Sequence, residues 1–396
     1  MGDIQWGSQS MLLNDVYNDK TVCITGHTGF KGAWLSEWLL GLGAHVVGYA
    51  LAPPTAPSLF NELQLSSRLA ADRRGDVRFL PDVQAMLRDY RPDFIFHLAA
   101  QSLVRPAFDR PHEAFETNVM GSLNMLEAVR RENHPCVVIM VTSDKVYRNI
   151  AWLHAYREPD GLGGHDPYSA SKVCAELLTD SYRQSFFQVP PLATAPAIAV
   201  AIARGSNVIG GGDWAVDRLV PDCVRHLARQ RPIPVRHRHA TRPWQHVLDL
   251  LSGYLTLGAR LFRACDRTQP NGAEQLPELC SAFNFGPSTE AHRSVASLVQ
   301  AILQHWPGTW EDVSQAQANG KPEADILHLA INKAYHTLGW QPCWSFATAV
   351  QATVSWYRNY YDTTAPTPGF MQDLTQSQIA AYTAVYEANQ ALSPGA

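Results

Sequence analysis

The chain has 396 residues, 46% of them hydrophobic and 17% charged, enough to bury a sizeable core, which excludes a disordered or fibrous protein. Thirty-two Lys and Arg against 36 Asp and Glu leave a formal charge of -4, which argues against a global nucleic-acid footprint. The seven cysteines (Cys23, Cys136, Cys174, Cys223, Cys265, Cys280 and Cys343) form no C-x-x-C pair, fitting reduced thiols rather than disulfides or a zinc site, and no apolar run reaches the roughly 20 residues a membrane span needs.

The first twenty residues hold no basic segment followed by an apolar run, so no signal peptide is read and a cytoplasmic chain is expected. Thr21 to Thr25 (TVCIT) reads as a buried strand, Phe30 to Leu42 as a helix and His45 to Leu51 as a second strand. Asp76 to Leu80 reads as a third strand, Asp93 to Phe96 as a fourth, Pro111 to Val129 as a helix and Cys136 to Ser143 as a fifth strand. Asp166 is a plausible N-cap and Pro167 a favoured first-turn residue for a helix through about Tyr182; Ala197 to Ser206 reads as a sixth strand. Strands apolar on both faces and separated by helices predict a Rossmann-type, doubly wound parallel α/β sheet.

After Gly205 the rhythm changes to loops rich in Gly, Pro, Arg and Trp, with a helix over Val247 to Phe262. Residues 15–205 are expected to form a dinucleotide-binding domain whose sheet is completed by part of 240–280. Residues 206–360 are expected to form a smaller mixed α/β substrate domain, and 361–396 a tail with a linker-like break at 363–369 and a helix near 375–391. Periodicity does not decide whether that helix packs on the body or on a partner.

Strand TVCIT runs into Gly26-His27-Thr28-Gly29-Phe30-Lys31-Gly32 and then a helix. Glycines there permit a tight turn and close approach of a pyrophosphate, which then meets the positive end of the helix. An acid about 20 residues on usually holds the ribose hydroxyls, but Val46 to Ala52 contains none, and no arginine for a ribose phosphate either. NAD rather than NADP, loosely held, is the expectation, with Asp76 a candidate for the adenine side. Tyr168 and Lys172 share one helix face, where the lysine's charge can lower the tyrosine pKa so that a phenolate takes a hydroxyl proton. The densest basic run, Arg236-His237-Arg238-His239 with Arg242, suits a diphosphate better than RNA. His237 and His239 lack an evident third ligand, so no metal is expected.

These motifs, with His97-Leu-Ala-Ala-Gln101, Thr117-Asn118-Val119-x-Gly121 and Arg204-x-x-Asn207, resemble the extended short-chain dehydrogenase/reductase family. Thr142-Ser-Asp-Lys145, Asp166-Pro-Tyr-Ser169, Asn207-Val-Ile-Gly-Gly-Gly-Asp-Trp214 and Arg242-Pro-Trp-Gln-His-Val247 are similar to its CDP-glucose 4,6-dehydratase branch. The resemblance spans residues 15–360 and implies a lyase of deoxysugar biosynthesis, working as a homodimer through the helices near 111–129 and 166–182. It implies NAD held by Gly26, Thr28, Gly29, Phe30, Gly32, Asp76, Val77, Leu98, Ala99, Ala100, Asn118, Tyr168 and Lys172. It implies a nucleotide-sugar, CDP-glucose favoured, held by Gln101, Asn207, Arg218, Arg242 and His246, with Ser143, Asp144, Lys145, Tyr168 and Lys172 catalytic. Lys145 could accept a proton only when neutral, which demands burial or neighbouring cations such as Lys172. A sugar-nucleotide epimerase, a dehydratase of another hexose and a non-catalytic cofactor-binding regulator are the alternatives.

Overall fold

A computed structural model describes residues 13–150, 152, 154–187, 198–266, 272–314, 327–362 and 369–391. Its strands are β1 (Thr21–Thr25), β2 (His45–Ala50), β3 (Ala71–Arg74), β4 (Phe94–His97), β5 (Cys136–Ser143), β6 (Ile198–Gly205), β7 (Asn207–Ile209), β8 (Ile233–Val235), β9 (Thr241–His246), β10 (Ala282–Phe285), β11 (His292–Ser294) and β12 (Trp310–Asp312). Seven of them form a parallel sheet in the order β10-β6-β5-β4-β1-β2-β3. The winding reverses at β1, which lies between β2 and β4, so a crevice opens beyond the carboxyl ends of β1 and β4. β11 and β7 flank β9 in a second sheet, and β8 pairs with β12.

Helices cover both faces because the strands are apolar on both. One layer packs Trp34, Trp38, Leu251 and Tyr254 against Ile24, Phe96 and Ile139; the other packs Val83, Met86, Leu126 and Val129 against Cys23, Ile95 and Val138. Alternate residues along β1, β4 and β5 thus enter opposite layers, as the strand period requires. Each such side chain contributes roughly 1.5–3 kcal/mol through burial.

Four expectations about elements are corrected. The third strand is Ala71–Arg74, not Asp76 to Leu80. Among the described residues it pairs only with β2, so it is an edge strand, where short length and charge are favoured and apolarity is a poor guide. Val77 instead plugs the space beside Gly121, and Leu80 opens the helix Leu80–Tyr90. The helix read over Pro111 to Val129 is broken by a π-turn, Glu116–Met120, between Pro111–Phe115 and Gly121–Glu132. The strand completing the large sheet is Ala282–Phe285, just beyond 240–280. The last helix, Phe370–Ala391, starts earlier than expected, and 363–368 of the linker-like break lie outside the described residues.

Candidate active site

The glycine loop takes its shape from close backbone contacts. Gly26 has φ 76°, and a Cβ on Gly32 would stand 2.2 Å from the Gly26 carbonyl oxygen. Only glycine permits that approach, which leaves an open backbone cradle at the start of the helix Phe30–Gly41. Thr25 Oγ1 accepts from Ala99 N (3.2 Å) and meets His97 Nδ1 (2.9 Å), tying β1 to the end of β4. Burial pushes the His97 imidazole down to about 3, so it is a neutral strut.

A cavity of about 820 Å³ opens over these strand ends. Gly26, Thr28, Gly29, Phe30, Gly32, Asp76, Val77, Leu98, Ala99 and Ala100 line its first part. Ser143, Asp144, Lys145, Tyr168 and Lys172 line its middle, and Gln101, Asn207, Arg218 and Arg242 its far part. Two residues expected at the ligand do not line it. Asn118 is buried in the π-turn, where its Oδ1 accepts from Gln101 N (2.8 Å) and its Nδ2 donates to Gln101 O (3.0 Å) and Ser171 Oγ (2.8 Å). It positions the Gln101 loop, and the extra residue of the π-turn supplies that reach. His246 is fully buried among Trp34 and Trp344, with Nδ1 accepting from Leu248 N (3.2 Å). As the last residue of β9 and N-cap of Val247–Cys265, it faces the core rather than the cavity.

Ser143 Oγ donates to Asp144 Oδ1 (2.9 Å) and accepts from Lys145 N (3.3 Å), so the end of β5 turns these three residues into one short helical turn. Burial raises the Asp144 carboxyl, favouring its protonated form, while Lys145, Ser143, Lys31 and Arg242 draw it back. Tyr168 is pushed up to about 12 by burial, with Asp144 and Asp166 adding to the rise; a hydrogen bond with Ser143 and the charge of Arg218 oppose them. Lys172, one helical turn on from Tyr168, donates its Nζ to Val141 O (3.2 Å). Burial also lowers Lys172 to about 8, against the pull of Glu176.

The basic run divides. Arg236, His237 and Arg242 line the cavity, whereas Arg238 pairs with Asp312 (3.2 Å) away from it. Arg218 donates to Asp213 Oδ2 (2.9 Å), which keeps its guanidinium aimed from the Gly210–Trp214 loop. Two basic residues escaped the sequence reading, one of them lining the cavity. Lys31 lines it and is lowered to about 8 by burial, with Arg218 and Lys172 adding and Asp144 and Asp213 opposing. Its signal was a cation inside the glycine motif. Arg74 reaches the end of β2, donating to Leu51 O (3.0 Å), so the absence of arginine there in sequence does not hold in space. Only the parallel register, which sets Arg74 beside Ala50, brings it in.

A family model described as GDP-mannose 4,6 dehydratase matches residues 23–274. A CDP-glucose 4,6-dehydratase of Salmonella typhimurium is 39% identical over 348 residues, covering 88% of this chain and 93% of that protein. A dTDP-glucose 4,6-dehydratase of Xanthomonas campestris is 25% identical over 85% of this chain and 93% of its own. In fold, the chain is similar to the dTDP-glucose 4,6-dehydratase of Streptomyces venezuelae solved with NAD bound, at TM-score 0.69 and 24% identity over 86% of this chain and 97% of that one. The glycine cradle, the Ser143-Asp144-Lys145 turn facing Tyr168 and the matches over most of both chains lead to one assignment: the chain belongs to the GDP-mannose 4,6-dehydratase family, within the extended short-chain dehydrogenase/reductases.

Proposed function

We propose that this protein is an NAD-dependent sugar-nucleotide 4,6-dehydratase that converts CDP-D-glucose to CDP-4-keto-6-deoxy-D-glucose and water. The observation carrying the reading is the meeting of Ser143, Asp144, Lys145, Tyr168 and Lys172 on one cavity wall, between a glycine cradle and a cationic far end. The 39% relative with that activity supports the choice of base and hexose.

The cradle fits a dinucleotide: Gly26 and Gly32 leave bare backbone where a Cβ would collide, at the N-terminus of a 12-residue helix. The loop from Gly26 to Gly32 would hold NAD there, and the chemistry it would supply is a reversible hydride store between C4 and C6 of the hexose, so that no cofactor would be consumed. Tyr168 would take the proton of the 4-hydroxyl, with Ser143 holding that oxygen. Ser143 also touches the Asp144 turn, so it couples the two halves of the site. The 4-keto group acidifies the C5–H, and Lys145 at the cavity wall would remove that proton. Asp144, whose neutral form burial favours, would protonate the departing 6-hydroxyl, which leaves as water. Arg218, Arg242 and Asn207 would hold the nucleotide diphosphate, with Trp214 and Trp244 among the walls around it. We further propose a cytoplasmic homodimer, supported by Leu177 and Phe186 exposed on or beside the helix Pro167–Ser185 and by exposed Phe115 and Met120.

The test is turnover of CDP-glucose and its UDP, GDP and dTDP counterparts in heavy water, read by mass spectrometry and NMR. Loss of water with deuterium at C5 is expected for CDP-glucose; a product that keeps its 6-hydroxyl and inverts a ring centre would give the site to an epimerase. Lys145→Met is expected to accumulate reduced cofactor with substrate present while elimination stops, and Asp144→Asn to impair elimination. Normal dehydration by Lys145→Met would remove that residue from the proton path.

A further inference from the structure

We infer that Tyr357, which lies outside the cavity lining, is a positioning residue for the nucleotide diphosphate: it fixes the Gly210–Trp214 loop so that Asp213 holds Arg218 aimed at the ligand. The inference rests on the proposal above that a nucleotide diphosphate lies at Arg218.

Arg218 lines the cavity just before the helix Leu219–Leu227, with 30% of its side chain exposed. A free arginine loses much rotamer entropy when a ligand immobilises it, so one already held binds more tightly. Arg218 Nη1 donates to Asp213 Oδ2 (2.9 Å), and Nη2 reaches Ser102 Oγ (3.4 Å). A guanidinium has five N–H donors, so these bonds orient it and leave others for phosphate oxygens. The second Asp213 oxygen, Oδ1, accepts from Ala215 N (3.0 Å), so the carboxylate is itself fixed to its loop.

What fixes the loop is the helix Phe346–Asp362. Tyr357 is fully buried on it, and its Oη accepts from Asp213 N (2.9 Å) and donates to Asp213 O (2.5 Å). Both backbone polar groups of Asp213 thus end on one hydroxyl. A phenylalanine would fill the same space, but only a hydroxyl can donate and accept there. Neighbours on that helix grip the rest of the loop. A Cβ on Gly211 would stand 2.1 Å from the Trp356 ring, and Trp214 Nε1 donates to Tyr361 Oη (3.2 Å). Trp356 is seated in turn by the final helix, where Thr375 Oγ1 accepts from its Nε1 (3.0 Å). A chain of hydrogen bonds therefore runs from Tyr357 through Asp213 alone to a guanidinium at the cavity wall.

The experiment uses the full-length protein with NAD present, and CDP-glucose or whichever of its UDP, GDP and dTDP counterparts the wild type turns over. Tyr357→Phe is expected to raise KM for that substrate about tenfold or more, the scale of one charge-assisted contact. The dissociation constant of the matching nucleoside diphosphate, measured by calorimetry, should rise with it. At saturation kcat should fall less than about threefold, because bound diphosphate re-seats the guanidinium, and NAD affinity should change less than about threefold. Added to Arg218→Ala, the Tyr357 change should raise KM by less than about twofold more, because the group it positions is gone. Asp213→Asn, which loosens the hold on Arg218, should show the same selective rise in KM and decides the matter if Tyr357→Phe does not fold. An unchanged KM, or full additivity with Arg218→Ala, would overturn this inference alone and leave Tyr357 a packing residue. Equal weakening of the diphosphate and of NAD would also overturn it. A wild type that binds none of these nucleotide-sugars or diphosphates would sink the proposed function itself, and this inference with it.

Discussion

At the scale of single residues, the cavity is crowded with cations before any ligand enters. Burial lowers both Lys31 and Lys172 to about 8, so their charge is full below that pH and fades above it. An anionic dinucleotide would restore the charged forms. Its binding is therefore expected to take up protons near pH 8 and to weaken as pH rises through that value, visible in calorimetry repeated in buffers of different ionisation enthalpy. Zero proton exchange would place both lysines away from the ligand. Tyr168→Phe keeps the ring and removes the proton acceptor, with an expected rate loss on the order of 10²–10⁴. A folded variant turning over normally would take Tyr168 out of the mechanism. Gly32→Ala is a steric counterpart: a Cβ only 2.2 Å from Gly26 O forces the loop apart, so cofactor binding should be lost in a chain that still folds.

At the scale of elements, the final helix Phe370–Ala391 belongs to the body of the protein. Tyr382 Oη donates to Asp249 Oδ1 (2.9 Å), Tyr386 meets Thr256 Oγ1 (2.6 Å), and Gln376 Nε2 donates to Glu37 Oε1 (2.8 Å). Cys343 N also donates to that Asp249 oxygen (2.7 Å), while the buried Asp249 Oδ2 has no partner among the described residues. Burial raises the Asp249 carboxyl to about 6, with its hydrogen bonds opposing. A raised folded pKa means the folded state binds more protons than the unfolded between about pH 4 and 6, so this group's contribution falls as pH rises through that window. The stability of the wild type relative to Asp249→Asn is thus expected to fall by about 1–3 kcal/mol from pH 4 to pH 7, at 1.36 kcal/mol per pKa unit. Urea unfolding at both pH values measures it; a difference constant with pH would rule out the titration.

At the scale of the molecule, one buried ion pair joins the large sheet to its catalytic edge. Arg204 of β6 donates through Nε and Nη2 to Glu176 (2.9 and 2.6 Å) and through Nη1 to Tyr147 Oη (2.6 Å). Thr142 Oγ1 donates to Glu176 Oε1 (2.6 Å), and Tyr147 Oη donates to Asn284 Oδ1 of β10 (2.7 Å). β5, β6, β10 and the helix bearing Tyr168 are thereby held in one register. Glu176→Ala leaves the guanidinium buried without its carboxylate and should cost about 3–5 kcal/mol in denaturant unfolding. A loss below about 1 kcal/mol would mean that water replaces the carboxylate.

What was legible in the chain follows from the range of the forces involved. Strands β1, β2, β4, β5 and β6 and the glycine loop are local patterns, set by apolar runs and by conformations only glycine adopts, so TVCIT and GHTGFKG announced themselves. The cavity-lining residues at strand ends followed, because a parallel sheet puts its carboxyl edges on one side. The edge strand β3 was misplaced because its residues need no core, and Arg74 was missed because a lateral strand pairing, not sequence distance, sets it at the end of β2. His246 and Asn118 were read as ligand contacts from a motif, but motif spacing does not say which side of the backbone faces the cavity. β9's end turns His246 into the core, and a π-turn points Asn118 at the backbone of Gln101. The seat of the last helix was likewise settled only by tertiary packing, since a partner's surface could have covered an amphipathic face as well as Trp38, Asp249 and Ser252 do.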